Sequence, residues 1–251
     1  YQDRYLLEGN FGYTGSENFL KKNRFGFFPA VAVGWVISEE PWIKKITSSW
    51  LAVFKIRASY GQVGNDRISD KDADRFPFIS TIGESGEFKF GESGSNTIKG
   101  YGITKLGANR LTWETATKWD VGIDLSLWRG LFTLTLDLFK DHRKNIFMER
   151  GQIPYTAGVE QLKPWANIGE MEAKGIDGNF AVNNKFGEVN VTLRGNLTYA
   201  INEVLEHDEA LNALTYQMKK GYRHNKMRGL IAEGLFKDQE EIDNWPKQTF
   251  S

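Results

Sequence analysis

The chain has 251 residues, in which 32 lysines and arginines balance 32 aspartates and glutamates, and it contains no cysteine. The zero net charge argues against nucleic acid as a partner, because no basic excess is available to neutralise phosphates. The lack of cysteine excludes disulfide frameworks, thiolate metal sites and thiol catalysis. No apolar run approaches the roughly 18 residues of a membrane-spanning helix, which excludes helical spans, whereas the half-apolar strands of a membrane barrel fit the composition.

Alternating apolar and polar residues predict the first antiparallel strands over residues 5–13, 27–35 and 50–60. Between the second and third of these, Ser38 is expected to cap a short helical turn reaching Ile46, because two glutamates and Pro41 follow it. Residues 62–111 come next; they are rich in glycine, serine, aspartate and asparagine and lack a sustained period. An irregular loop of that length is expected to carry function.

The clearest hairpin of the sequence covers residues 117–140. Each arm alternates over about 10 residues, which a tilted strand needs to cross a bilayer, whereas strands of globular proteins are about half as long. The tight link Trp128, Arg129 and Gly130 joins antiparallel neighbours. A half-buried sheet of a soluble sandwich gives the same alternation, so this pattern alone leaves both environments open.

Short and long connections alternate along the chain. After the hairpin, residues 142–167 are expected to be irregular, and two more strands are predicted over 175–183 and 189–199, joined by a short turn. Short periplasmic turns and long external loops are typical of outer-membrane barrels. Two aromatic girdles are expected, with Trp35, Trp50, Trp128 and Phe132 at the short-turn end and Tyr13, Tyr60, Phe139 and Tyr199 at the long-loop end.

Five ordered blocks carry a family resemblance. F-G-F-F-P-A-V-A-V-G-W-V-I-S-E-E-P-W at 25–42 resembles the F-P-S-x-S-x-G-W-x-I-S-E-E signature of SusC/RagA-type TonB-dependent outer-membrane transporters of Bacteroidetes. The later blocks are L-A-V-F-K-I-R-A-S-Y-G-Q-V-G-N-D at 51–66, L-T-W-E-T-A-T-K-W-D-V-G-I-D at 111–124, N-I-G-E-M-E-A-K-G-I-D at 167–177 and G-L-I-A-E-G-L-F-K-D-Q-E-E-I at 229–242. Asp120, Ala173 and Asp177 depart from the family pattern.

The resemblance implies the C-terminal portion of a plugged transmembrane β-barrel of roughly 22 antiparallel strands, of which seven or eight are readable here. Residues 1–201 would hold barrel strands with extracellular loops near 62–111 and 142–167. Residues 202–251 would hold an extracellular loop and the start of the next strands. The plug, the TonB box and the closing strands are expected to be absent from this chain.

The resemblance also implies a function for the whole protein. It would import a nutrient, an oligosaccharide or other glycan or a peptide, across the Gram-negative outer membrane, embedded in outer-membrane lipid. A SusD-like surface lipoprotein would be its partner, and the TonB complex would act on it through the absent N-terminal segment. The alternatives are a soluble β-rich carbohydrate- or protein-binding module and a small passive porin.

The polar faces of the predicted strands supply candidate lumen-facing residues, because their neighbours in sequence would face lipid. These candidates are Lys55, Arg57, Asp120, Asp124, Asp137, Asn179 and Arg194. They would hydrate the wall, pair with a plug or contact substrate. Aromatic residues of the long loops, which would stack on sugar rings, contact a partner or pack the loops together, are Tyr101, Trp113, Tyr155 and Trp165.

No motif supports an enzyme, since there is no phosphate loop and G-E-S-G at 83–86 falls short of a nucleophile elbow. Asp70, Asp72 and Asp74 have the spacing of calcium ligands, but Arg75 and Thr81 stand where the loop requires glycine and glutamate. A solvated acidic loop is the favoured interpretation, and neither a cofactor nor a metal is expected. The histidines, which lack metal-ligand spacing and are expected at the exposed surface, are His142, His207 and His224.

Overall fold

The computed structural model describes every residue except 48, 69–75, 109, 154, 159–161, 163, 210–213, 230 and 247–251. Its strands are β1 (Tyr5–Gly15), β2 (Phe25–Val36), β3 (Leu51–Asn65), β4 (Thr81–Phe90), β5 (Asn96–Lys105), β6 (Glu114–Leu127), β7 (Phe132–Glu149), β8 (Trp165–Phe186) and β9 (Val189–Glu206). Seven of them form one antiparallel sheet in the order β1-β2-β3-β6-β7-β8-β9, and β4 and β5 pair separately. The predicted all-β, antiparallel fold is confirmed.

The two faces of the sheet differ in chemistry. The strand register aligns Trp35, Ile56, Ile123 and Leu136 in one row across β2, β3, β6 and β7. Other large apolar side chains on this side, all about half exposed or more, are Leu7, Phe11, Val33, Val121, Leu138, Leu193 and Leu197. We call this side the apolar face. The opposite side, which carries the charged residues described below, is the polar face.

The hairpin predicted over 117–140 is confirmed, with β6 and β7 joined by a 3-10 turn at Trp128–Gly130. All three turn residues have positive φ, of 48° at Trp128, 55° at Arg129 and 90° at Gly130. Only glycine adopts this region without steric cost, and Gly130 takes the largest of the three angles. This turn brings the two arms into register from Leu127 opposite Phe132 onward.

The expectation of an irregular loop over 62–111 is wrong. β3 continues to Asn65, and residues 81–105 fold into the β4–β5 hairpin. The register of that hairpin shifts twice, between Thr81 and Ile82 and between Glu84 and Glu87. Each shift interrupts the alternation of side chains, so no sustained period-two pattern was visible in the sequence.

The second expected irregular stretch, 142–167, is strand at both of its ends, because β7 runs to Glu149 and β8 begins at Trp165. The pairing of these strands shifts between Arg143 and Ile146, where Asn145 has a positive φ of 58°. A bulge of this kind reverses which side of the strand each residue faces. The alternation therefore breaks although the strand continues.

The turn after β2 differs from its prediction. Residues Ile37–Glu39 form a 3-10 turn that contains Ser38, and helix α1 spans Pro41–Thr47. The backbone carbonyl of Glu40 accepts the first helical hydrogen bond, from the Lys44 N–H at 2.8 Å. Ser38 is therefore not the cap: it is buried, and its hydroxyl makes no hydrogen bond within the described residues.

A small core lies where the long connections meet the sheet. It consists of Phe19, Leu111 and Trp113, which are 1%, 2% and 8% exposed, with Phe28 and Phe147 packed against it. The Trp113 ring centroid lies 5.2 Å from that of Phe19 and 5.4 Å from that of Phe28. Because the sheet has few other buried apolar side chains, this cluster supplies much of the contact between the connections and the strands.

The last strand runs five residues beyond the predicted limit of 201, and the chain then follows an irregular course to helix α2 (Gln239–Asn244). Asp238 caps α2 by accepting a hydrogen bond from the Glu241 N–H at 2.9 Å. Among the described residues of 207–246 there is no further strand. Nowhere in the described part of the chain is a helix both long and apolar enough to span a membrane.

Candidate functional site

The polar face centres on one row of residues that crosses four strands. The register places Arg57 of β3 beside Gly122 of β6, Gly122 beside Asp137 of β7, and Asp137 beside Asp177 of β8. In the flanking rows of β6, Asp120 stands opposite Ser59 and Asp124 opposite Lys55. Charged side chains from neighbouring strands therefore converge on the middle of the face.

Arg57 binds three carboxylates at once. Its Nη1 donates to Asp120 Oδ1 at 3.2 Å, its Nε to Asp124 Oδ2 at 3.3 Å and its Nη2 to Asp137 Oδ2 at 2.7 Å. The Asp137 side chain is 13% exposed and that of Arg57 is 31% exposed. We call these four residues the Arg57 network. One guanidinium faces three carboxylates, with Asp177 beside them, so acidic groups outnumber basic ones here.

The strongest contact of the network, between Arg57 and Asp137, can form because Gly122 has no side chain. Gly122 lies between Arg57 and Asp137 on the middle strand, so the two side chains must meet across it. A Cβ atom at position 122 would lie 2.1 Å from Asp137 Oδ1 and 2.7 Å from Arg57 Cζ. Both distances are shorter than nonbonded atoms allow. The missing side chain of glycine thus leaves the space in which the ion pair forms.

The other predicted lumen residues share the polar face without joining the network. Lys55 pairs with Asp124 in register, Asn179 with Thr135, and Arg194 with Ala181. Asn179 and Arg194 are exposed. Arg57, Asp120, Asp124 and Asp137, which the alternation predicts on one face, do lie together on that face. Asp177 was not among the predicted residues, although its alternation with Ile176 and Gly178 was a usable signal.

The predicted loop contacts separate into different roles. Tyr101 lies on β5 and is 75% exposed, which leaves its ring available. Trp165 opens β8 and stacks on Phe147 with ring centroids 4.8 Å apart. Trp113 belongs to the buried core and its Nε1 donates to the Arg24 carbonyl at 3.3 Å, so it packs the loops together. The Tyr155 side chain, like the whole Asp70, Asp72 and Asp74 segment, lies outside the described residues.

Two of the three histidines, His142 and His207, are partly buried, whereas His224 is exposed as expected. His142 lies in β7, and its Nε2 is 2.5 Å from Glu170 Oε1 of β8. His207, just after β9, has a pKa lowered by partial burial and by the nearby Lys219. His224 follows in irregular chain, where its N–H donates to Asn202 Oδ1. Within the described residues, no three histidine, aspartate or glutamate side chains are grouped to hold a metal ion.

An ion pair also ties the end of β7 to the segment after β9. Arg150 Nε donates to Asp208 Oδ2 at 2.7 Å, and the Gly151 N–H donates to the same oxygen at 2.9 Å. Partial burial opposes ionisation of Asp208, but these hydrogen bonds and the Arg150 charge outweigh it and lower the pKa of the carboxyl. The connection therefore stays ionised and paired at neutral pH.

Comparison with known proteins decides the family. All 251 residues match the model of the TonB dependent receptor-like β-barrel. The chain belongs to the TonB-dependent receptor β-barrel family. A TonB-dependent receptor β-barrel lies in the outer membrane, so the apolar face is the lipid-facing wall and the polar face lines the lumen. This contradicts the alternative of a soluble binding module.

Individual relatives agree with this membership of the TonB-dependent receptor family. TonB-dependent receptor P39 of Formosa agariphila is 29% identical over 246 residues, covering 96% of this chain and 22% of the relative. TonB-dependent receptor SusC of Bacteroides thetaiotaomicron is 29% identical over 183 residues, covering 73% of this chain and 17% of the relative. The chain thus spans about a fifth of the length of these relatives.

A solved structure shares the fold of this TonB-dependent receptor barrel. The RagAB peptide importer in its "closed-closed" state superposes with a TM-score of 0.68 at 19% identity, over 87% of this chain and 23% of that chain. At this identity the likeness establishes the fold alone. It is consistent with seven neighbouring strands of a larger barrel wall, with β1 and β9 at the edges.

Proposed function

We propose that the whole protein to which this chain belongs imports a nutrient across the outer membrane as a TonB-dependent transporter. The observation that carries the proposal is the two-faced wall: an exposed apolar face for lipid and, opposite, a polar face on which Arg57 holds three carboxylates. A polar lining of this kind suits a barrel whose interior holds water, solutes or a plug. The match of all 251 residues to the TonB-dependent receptor β-barrel family supports the proposal of import.

The cargo we propose is an oligosaccharide or a peptide, delivered with the help of a SusD-like surface lipoprotein. SusC is among the named relatives, and a peptide importer shares the fold. Both cargo classes carry many hydrogen-bonding groups, and they would meet the carboxylates, amides and basic groups of the polar face. We propose no enzymatic step and no cofactor, since import requires binding and release of the cargo without covalent change.

Deleting the gene of the whole transporter tests the proposal. Growth of the deletion strain would be measured on oligosaccharide mixtures, on peptide mixtures, and on free monosaccharides and amino acids, which enter through general porins. We expect growth to be lost on one of the two oligomeric classes and retained on the monomers. Unchanged growth on every oligosaccharide and peptide mixture would refute the import function.

The lipoprotein partner is tested separately by affinity purification. The whole transporter, tagged and extracted from outer membranes in mild detergent, is expected to retain a surface lipoprotein in near-equal amount. The control is an unrelated outer-membrane barrel tagged and purified in the same way. Recovery of the transporter alone, with import intact, would contradict the partner but leave the import function standing.

A further inference from the structure

A second surface of the chain lies at the short-turn end, on helix α1 (Pro41–Thr47). Trp42 and Ile46 are four residues apart and therefore share one side of the helix. They are 58% and 75% exposed, whereas Ile43 is half-buried and Thr47 is buried. The helix thus packs through one side and presents a tryptophan and an isoleucine outward on another.

The start of α1 is held on the lipid-facing side of the wall by Glu40. The Glu40 carboxylate accepts hydrogen bonds from the Tyr5 hydroxyl at 2.6 Å and from Trp35 Nε1 at 3.0 Å, and Arg4 Nη1 donates to it at 3.0 Å. Tyr5 and Trp35 stack on one another and belong to the apolar face. The buried Glu40 side chain therefore fixes the residue before Pro41 on the side where lipid lies.

The charges around the exposed stripe are basic. Lys44 pairs with Glu39 at 2.6 Å, while Lys45 is exposed and forms no ion pair with any residue that the structure describes. At the same end of the wall, Trp50 and Trp128 are 44% and 54% exposed and are joined by a hydrogen bond from the Trp128 N–H to the Trp50 carbonyl. Exposed tryptophan and lysine side chains in one region are typical of a membrane–water interface.

We propose that α1 binds the inner leaflet of the outer membrane. Trp42 and Ile46 insert at the boundary between headgroups and acyl chains, and Lys45 contacts the phosphates of phospholipids. Lipid is the occupant that the structure favours, because the helix begins on the apolar face, where Tyr5 and Trp35 bind Glu40, and because the unpaired charge of Lys45 is opposite in sign to phosphate. The α1 segment then anchors the periplasmic edge of the wall at a fixed depth.

Fluorescence quenching by lipid tests this in the whole transporter. A single cysteine is introduced by Ile46→Cys, in a background whose other cysteines are serine, and is labelled with the fluorophore NBD. The protein is reconstituted into vesicles of phosphatidylethanolamine and phosphatidylglycerol, with or without phosphatidylcholine that carries a doxyl quencher at carbon 5. The matched control is Glu188→Cys, at the exposed tip of the β8–β9 turn on the same end of the wall.

We expect the doxyl lipid to quench the label at position 46 at least about twofold more than the label at position 188, and aqueous iodide to do the reverse. Equal quenching at the two positions by the doxyl lipid would overturn the proposal. Protection of position 46 from both quenchers would also overturn it, since protein would then cover the helix. Heat-modifiable migration on gels verifies folding of each variant, and Trp42→Cys provides the same test if Ile46→Cys does not fold.

Discussion

Replacing Gly122 by alanine should break the centre of the polar face while adding only one methyl group. The added Cβ would lie 2.1 Å from Asp137 Oδ1, so the carboxylate and the guanidinium of Arg57 could no longer meet above residue 122. Arg57 can swing away because its side chain is long, but Asp137 then loses its contacts with Arg57 Nη2, which lies 2.6 Å from Oδ1 and 2.7 Å from Oδ2. The variant is therefore a test of the ion pair rather than of β6 itself.

The cost follows from the exposure of the two partners. Breaking one side of a fully buried ion pair costs about 3–5 kcal/mol, and breaking a fully exposed pair costs at most about 1 kcal/mol. Asp137 is 13% exposed and Arg57 is 31% exposed, which places the pair between these limits and screens it partly by lumen water. We expect Gly122→Ala to lower the free energy of unfolding by about 1–3 kcal/mol.

This cost is measured by unfolding the whole transporter in detergent with guanidinium chloride, and the folded fraction is read from heat-modifiable migration on gels. The change in free energy of unfolding is the shift in the denaturation midpoint multiplied by the wild-type slope. Gly12→Ala is the matched control, because its added Cβ would meet only the Phe28 carbonyl at 3.9 Å. That control also reports the gain of about 0.5–1 kcal/mol that alanine brings to a strand. If Gly122→Ala proves as stable as Gly12→Ala, the ion pair contributes nothing and the reasoning fails.

Three further outcomes are expected. Leu136→Arg on the lipid-facing wall should cost about 2–4 kcal/mol of folding free energy in vesicles, whereas Thr135→Arg on the polar face should cost far less; equal costs would reverse the assignment of the faces. Trp113→Ala should destabilise the outer end by about 3–5 kcal/mol, seen as faster proteolysis of the long connections, and an unchanged cleavage rate would contradict its role in the core. Hydrogen bonds from Tyr5 and Trp35 lower the pKa of Glu40, so its stabilising contribution is complete above the ordinary value of 4.5 and is lost as pH falls through the lower folded value. Acidification below pH 4.5 should therefore lower the unfolding temperature of the wild type more than that of Glu40→Gln, and parallel pH profiles would refute this.

The sequence predicted those strands that have one side in lipid and the other in water. Between Trp119 and Leu138 every second residue must suit lipid and the rest must suit water, so the alternation is strong and the hairpin was found. Beyond the bilayer both sides of a strand meet water. The ends of β7 and β8 and the whole β4–β5 hairpin therefore show little alternation, and register shifts obscure what remains.

Alternation also predicted only part of the candidate site. Period two was enough to place Arg57 and Asp137 on one face, because facing is a local property of each strand. Their contact across Gly122 depends on how three strands align, which the alternation does not fix. The role of Trp113 depends on Phe19, a residue far away in the chain, so the sequence could not decide between ring stacking on cargo and packing of loops.

The Arg57 network also bears on how accurately the wall assembles in the membrane. A slip of one residue between β3 and β6 would turn every side chain of the slipped strand to the opposite side. Asp120 and Asp124 would then point into hydrocarbon, and Arg57 would be left without two of its three partners. A misaligned pair of strands is therefore less stable in lipid than the correct pair. In the correct alignment all four charged side chains lie on the watery side of the wall and contact one another.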